Sequence, residues 1–121
     1  MTVERSLMIL VAGPYRSGTD GDPARIQANV DAMTVVSLEL YERGHLPVMG
    51  EWFALPLIEQ AHLEGDPPDP DSAIFHPIAE QLLARCDACL RIGGPSAGAD
   101  RMVATARALG KTVFLSLEDV P

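Results

Sequence analysis

Two glycine-rich loops hold the residue types best suited to chemistry in this 121-residue chain. The first, Gly13-Pro14-Tyr15-Arg16-Ser17-Gly18, follows the apolar run Leu7–Val11. The second lies in Arg91–Arg101, where the apolar run Ala88–Ile92 breaks into Gly93-Gly94-Pro95-Ser96-Ala97-Gly98 and then Asp100-Arg101. From there a helical pattern runs to Leu109 and stops at Gly110. A strand, a loop of small residues and a helix start present free backbone N–H groups and the positive end of a helix dipole to an anion. Two such loops on one small chain point to a phosphate-bearing or otherwise anionic small ligand.

Individual residues support this reading and also have plainer roles. Tyr15 and Arg16 are placed for sugar and anion contact, and neighbouring glycines keep their loop open. Ser96 can cap the helix that follows while Gly98 permits a tight turn, and capping uses the same N–H groups as a ligand would. Asp100 suits the helix dipole but repels a nearby phosphate, a charge that Arg101 offsets. Glu51 and Trp52 follow a second apolar run. Glu51 is a carboxylate placed near the loops. Trp52 can stack on a base, or join Phe53 in a core or dimer contact.

The elements that must position these groups are legible from periodicity. The continuous apolar run Leu7–Val11 reads as a strand buried on both faces, and His45–Met49, Ala88–Ile92 and Thr112–Leu117 read as three further strands, with Pro47 pushing the second toward a sheet edge. Asp22-Pro23 reads as an N-cap and first helical turn for Ile26, Val30, Met33, Val36 and Leu40, and Gly44 closes that helix. Trp52–His62 reads as a helix apolar almost all round, which needs a partner surface. Glu64–Asp71 carries three prolines and three aspartates after Glu64 and reads as a solvated extended loop, not a calcium loop. Ser72 caps a third helix to about Arg85, with Phe75, Ile78 and Leu82 on one face. The fourth helix, Ala99–Leu109, has Met102, Val103, Ala106 and Leu109 as its packing stripe. Asn29 is placed to hydrogen-bond back into the first loop. Alternating strands and helices predict one α/β domain over residues 1–121, a Rossmann-like or flavodoxin-like parallel sheet of four to five strands with helices on both faces. Ligands of such sheets sit beyond the carboxyl ends of the strands. That rule gathers Gly13–Gly18, Gly50–Trp52 and Gly93–Arg101, and leaves Asp87 at the opposite end as a structural carboxylate.

Bulk properties narrow the classes. With 47% hydrophobic and 21% charged residues the chain is globular, not disordered. A net charge of -8 argues against a nucleic-acid polymer as partner, since phosphate backbones need a basic face. No apolar run approaches the roughly 18 residues of a membrane span and no signal peptide opens the chain, so a cytoplasmic protein without membrane contact is expected. Cys86 and Cys89 read as buried thiols where a helix meets a strand. A redox pair sits at a helix N-terminus, and zinc would need two further ligands. No metal and no cofactor are expected.

In order along the chain, Ala12-Gly13-Pro14-Tyr15, Arg25 and Asn29, Gly44-His45-Leu46-Pro47-Val48, Cys86-Asp87-Ala88, Ser96-Ala97-Gly98-Ala99 and Ala106…Leu109-Gly110-Lys111 resemble the nucleoside 2-deoxyribosyltransferase superfamily, which includes the nucleoside 5'-monophosphate N-glycosidases. The resemblance covers most of the chain. It implies a Rossmann-like fold, a homodimer or higher homo-oligomer, and a Ser-x-Gly loop that binds phosphate or sugar hydroxyls. It also implies a two-carboxylate mechanism. A glutamate one turn into the following helix attacks the sugar C1', an aspartate on the preceding helix assists, and the first-loop tyrosine lies near the sugar. This chain departs from that pattern at both carboxylates. Met102 stands at the nucleophile's position and Ala79 at the assisting one. Asp100, two residues away, is rotated by about 200° around the helix. Glu80, one residue from Ala79, is rotated by about 100°. The expectation is a protein that binds a nucleoside, nucleotide or sugar phosphate. It then either cleaves or transfers at an N-glycosidic bond through a rearranged site, with Glu51 and Tyr15 as catalytic candidates, or serves as a catalytically silent nucleotide-binding or oligomeric interaction module.

Overall fold

The computed structural model describes residues 6–65 and 71–121. Its elements are β1 (Met8–Ala12), α1 (Pro23–Glu42), β2 (Leu46–Val48), α2 (Gly50–Leu63), a π-helical turn (Asp71–Phe75), α3 (His76–Arg85), β3 (Ala88–Arg91), α4 (Ala97–Ala108), β4 (Thr112–Phe114) and a 3-10 turn (Leu117–Asp119). The four described strands form one all-parallel sheet in the order β2-β1-β3-β4. It is the expected α/β sheet covered on both faces, and Pro47 does lie on an edge strand.

Side chains of β1 alternate between two cores, as the strand's period of two requires. Leu10 and Ala12 join Ala79, Leu83, Met102 and Ala106 under α3 and α4. Ile9 and Val11 join Met33, Leu40 and Leu90 under α1, with Val120 closing that side. Because both faces of β1 are buried, its sequence is a continuous apolar run rather than an alternating one. The chain leaves β1 through α1 on one face and returns to β3 through α2 and α3 on the other. The loops after β1 and β3 therefore diverge, and a crevice opens beyond the carboxyl ends of these two strands.

Several boundaries differ from the sequence reading, each for a local reason. Helix α2 begins at Gly50, two residues earlier than expected, so Glu51 sits in its first turn; Pro56 is accommodated inside it. Helix α4 begins at Ala97 because the Ser96 hydroxyl accepts from the Ala99 N–H at 3.1 Å, which brings Gly98 into the first turn. The last strand stops at Phe114, where Ser116 caps the 3-10 turn. Leu109 is half exposed and lies outside the α4 packing stripe. The start of α1 is as read: Asp22 caps it, accepting from the Ala24 N–H at 3.1 Å, with Pro23 in the first turn. Asp87 lies at the amino end of β3, where it accepts from the Met8 N–H at 2.8 Å. The proline-rich loop expected over Glu64–Asp71 falls at 66–70 outside the described residues, as does the side chain of the expected cap Ser72.

Candidate functional site

A cavity of about 170 Å³ occupies the crevice beyond β1 and β3. The end of β1 forms its floor with Leu10, Val11 and Ala12, and four further pieces of chain form its wall. The β1–α1 loop contributes Gly13, Tyr15, Arg16 and Ser17, α2 contributes Gly50 and Glu51, the turn into α3 contributes Phe75, His76 and Ala79, and α4 contributes Ser96, Gly98 and Met102.

Local chemistry holds each piece in place. Asn29 on α1 donates to the Tyr15 carbonyl at 2.8 Å, the bond expected from its position. The buried Thr19 hydroxyl donates to the Arg16 carbonyl at 2.6 Å. Gly93 adopts φ +78°, and a Cβ there would stand 2.6 Å from the Pro14 ring. Only glycine lets the two loops pass at that distance. The Tyr15 ring lies parallel to Phe75, centroids 5.9 Å apart, in offset stacking. The Arg16 guanidinium sits 6.0 Å from the Tyr15 centroid. A Cβ on Gly50 would come within 3.3 Å of the Ala79 Cβ, so the start of α2 presses directly against α3.

Glu51 is the carboxylate this packing traps. It is 4% exposed, and burial pushes its carboxyl from 4.5 up to about 7, partly opposed by its own backbone N–H. Taking a carboxylate out of water disfavours the charged form, so near neutral pH both forms coexist. His76 also lines the cavity. Its ring stands edge-on to Phe75 at 5.7 Å, and its Nδ1 is buried without a hydrogen-bond partner among the described residues.

Of the residues singled out in the sequence, Gly13, Tyr15, Arg16, Ser17, Glu51, Ser96 and Gly98 meet at this cavity. Pro14, Gly18, Trp52, Asp100 and Arg101 do not line it. Trp52 points outward and is 42% exposed. Asp100 accepts from Arg91 Nε at 3.2 Å, and the same guanidinium also donates to the carbonyls of Ile92 and Gly94. Arg101 pairs with Glu80 at 2.7 Å. These ion pairs turn Asp100, Arg101 and Glu80 away from the crevice. Ala79 and Met102, which the resemblance aligns with two carboxylates, both line it. Phe75 and His76 were missed as site residues. The sequence offered Phe75 only as a helix face and gave no signal for His76.

Cys86 and Cys89 are buried free thiols. Burial pushes them up to about 11 and about 12, partly opposed by Lys111 beside Cys86 and by Arg91 beside Cys89. Among the described residues no cluster of His, Cys, Asp and Glu could hold a metal ion, and no helix is long and apolar enough to cross a membrane. Compared with family models and with curated proteins, the chain matches none. What stands is a Rossmann-like α/β fold with a cavity at its switch point.

Proposed function

We propose that the cavity binds a nucleoside, a nucleotide or a related sugar phosphate, and that Glu51 exchanges a proton with it. The observation that carries this reading is a carboxyl balanced near neutrality in the wall of a crevice where α/β sheets of this type take their ligands. A group with that balance can both give and accept a proton at pH 7. At an N-glycosidic bond, Glu51 donates its proton to the departing base. Water then adds hydroxide to C1', and its proton returns to Glu51. The volume of about 170 Å³ is below the roughly 300–1,000 Å³ of pockets that enclose a drug-sized ligand, so it suits one ring of such a molecule. Arg16 and Ser17 then lie beside the part that stays in the mouth, and Tyr15 beside the sugar.

A second reading has its own support. Met102 and Ala79 make the wall apolar where the resembled enzymes carry carboxylates, so glycosidic cleavage by the two-group logic is one group short. On that reading the protein binds its ligand without turning it over. The same proposal includes a homodimer or higher oligomer, since Trp52, Phe53, Leu57 and Leu63 leave much apolar surface of α2 exposed.

The test pairs two measurements across deoxynucleosides, their monophosphates and sugar phosphates. Released base, lost in Glu51→Gln, supports the enzyme. A ligand-dependent rise in melting temperature without released base supports the binder. Neither effect with any compound at millimolar concentration overturns both. Gain of base release on restoring Met102→Glu with Ala79→Asp would show that the scaffold still positions a sugar.

A further inference from the structure

Glu51 shares its wall with a polar group that the fold leaves unsatisfied. His76 is the first residue of α3, and Ala79 lies one turn along the same face. Both line the cavity. Phe75 holds the ring edge-on at 5.7 Å. On the α4 side, the place a Cβ would take on Gly98 is 3.7 Å from His76 Cε1. The start of α4 thus lies within van der Waals reach of the ring. On the α2 side, Gly50 abuts Phe75 and Ala79, which sets Glu51 in the adjoining wall.

His76 Nδ1 is buried and has no hydrogen-bond partner among the described residues. Native folds rarely leave such an atom unpaired unless a bound molecule or water completes it. The nearby charged groups do not serve as its partner. Glu80 is committed to Arg101 and Asp100 to Arg91, and neither lines the cavity. The ionisable side chains that line the cavity beside His76 are Glu51, Tyr15 and Arg16.

We infer that His76 is a ligand-contacting residue of this cavity, its imidazole hydrogen-bonding one polar edge of a ring whose other edge meets Glu51. The inference rests on the nucleoside reading above and narrows it. The ligand is a single ring with polar groups on two sides, such as a base or a furanose, and not an apolar ring. Recognition of this kind is specific because an analogue lacking one polar edge leaves a buried group unpaired.

The decisive experiment follows the imidazole nitrogen NMR signals of the wild-type protein, labelled on histidine, during titration with deoxyadenosine, its monophosphate, free adenine and deoxyribose phosphate. The expected result is that His76 signals move to saturation with at least one probe while those of His45 and His62 stay. Affinity for that probe falls roughly five- to tenfold in His76→Phe, the worth of about one hydrogen bond, and recovers in part in His76→Gln. A probe that saturates the wild type without moving His76, and binds His76→Phe equally well, overturns this inference and leaves the nucleoside reading standing. Failure of every probe to bind the wild type overturns both. Should His76→Phe not fold, the wild-type spectra and the His76→Gln affinity decide.

Discussion

Replacing Glu51 by glutamine will stabilise the fold above neutral pH and leave it nearly unchanged in mild acid. The native carboxyl sits at about 7 because of burial, against 4.5 for an ordinary glutamate. The folded protein therefore holds a proton through that window while the unfolded chain has released it. Stability falls as pH climbs from 4.5 and levels off beyond about 7. Each tenfold change in proton affinity is worth about 1.4 kcal/mol, so the ionised carboxylate costs the fold up to about 3 kcal/mol. Glutamine keeps the shape, carries no charge and removes this slope. Urea unfolding followed by circular dichroism at pH 5 and pH 8 measures it, with an unchanged m-value as control. The two proteins will agree within about 1 kcal/mol at pH 5, and the variant will lead by about 2–3 kcal/mol at pH 8. That lead amounts to roughly 10 °C in melting temperature. Other carboxylates titrate in both proteins and cancel in the difference. Parallel stability profiles for the two would refute the trapped carboxyl, and with it the proton exchange assigned to Glu51.

Gly93→Ala will cost about 3 kcal/mol in the same assay, because the left-handed backbone disfavours a Cβ and the Pro14 ring, 2.6 Å away, must move. Its ligand affinity will fall as well, since Pro14 carries the first loop with it. Ser96→Ala will lose about 1 kcal/mol with the cap of α4, whereas Arg101→Ala, which breaks a half-exposed ion pair, will lose less than about 1 kcal/mol; a larger loss for Arg101 would show that the pair is not merely a surface contact. Cys86 and Cys89 will resist a thiol reagent in the folded protein and react fully in urea, because the buried thiols stay protonated. Rapid labelling of either in the native state would contradict their burial.

What could be read from the residues alone was local. Asp22-Pro23 and Ser96 announce helix starts because a cap and the N–H groups it satisfies lie within three residues of each other. The run at Leu7–Val11 announces a strand buried on both faces, observed at Met8–Ala12, and from that a parallel sheet. Both glycine-rich loops are legible in their own residues, as is Asn29 tying the first loop to α1.

Properties of the site that depend on distant neighbours needed the tertiary structure. Glu51 is an ordinary glutamate in sequence; burial in the fold brings its carboxyl near neutrality, where α2 starts against Ala79, 29 residues from Gly50 in the chain. His76 meets Gly98 across 22 residues and shows no spacing that could flag it. Asp100 and Arg101 sit beside the second loop in sequence, yet Arg91 and Glu80 draw them out of the cavity. Trp52, one residue from Glu51, faces outward because successive helical residues turn by about 100°. Backbone propensity and capping act over a few residues and are written in the chain, whereas desolvation and pairing are set by whatever the fold brings alongside.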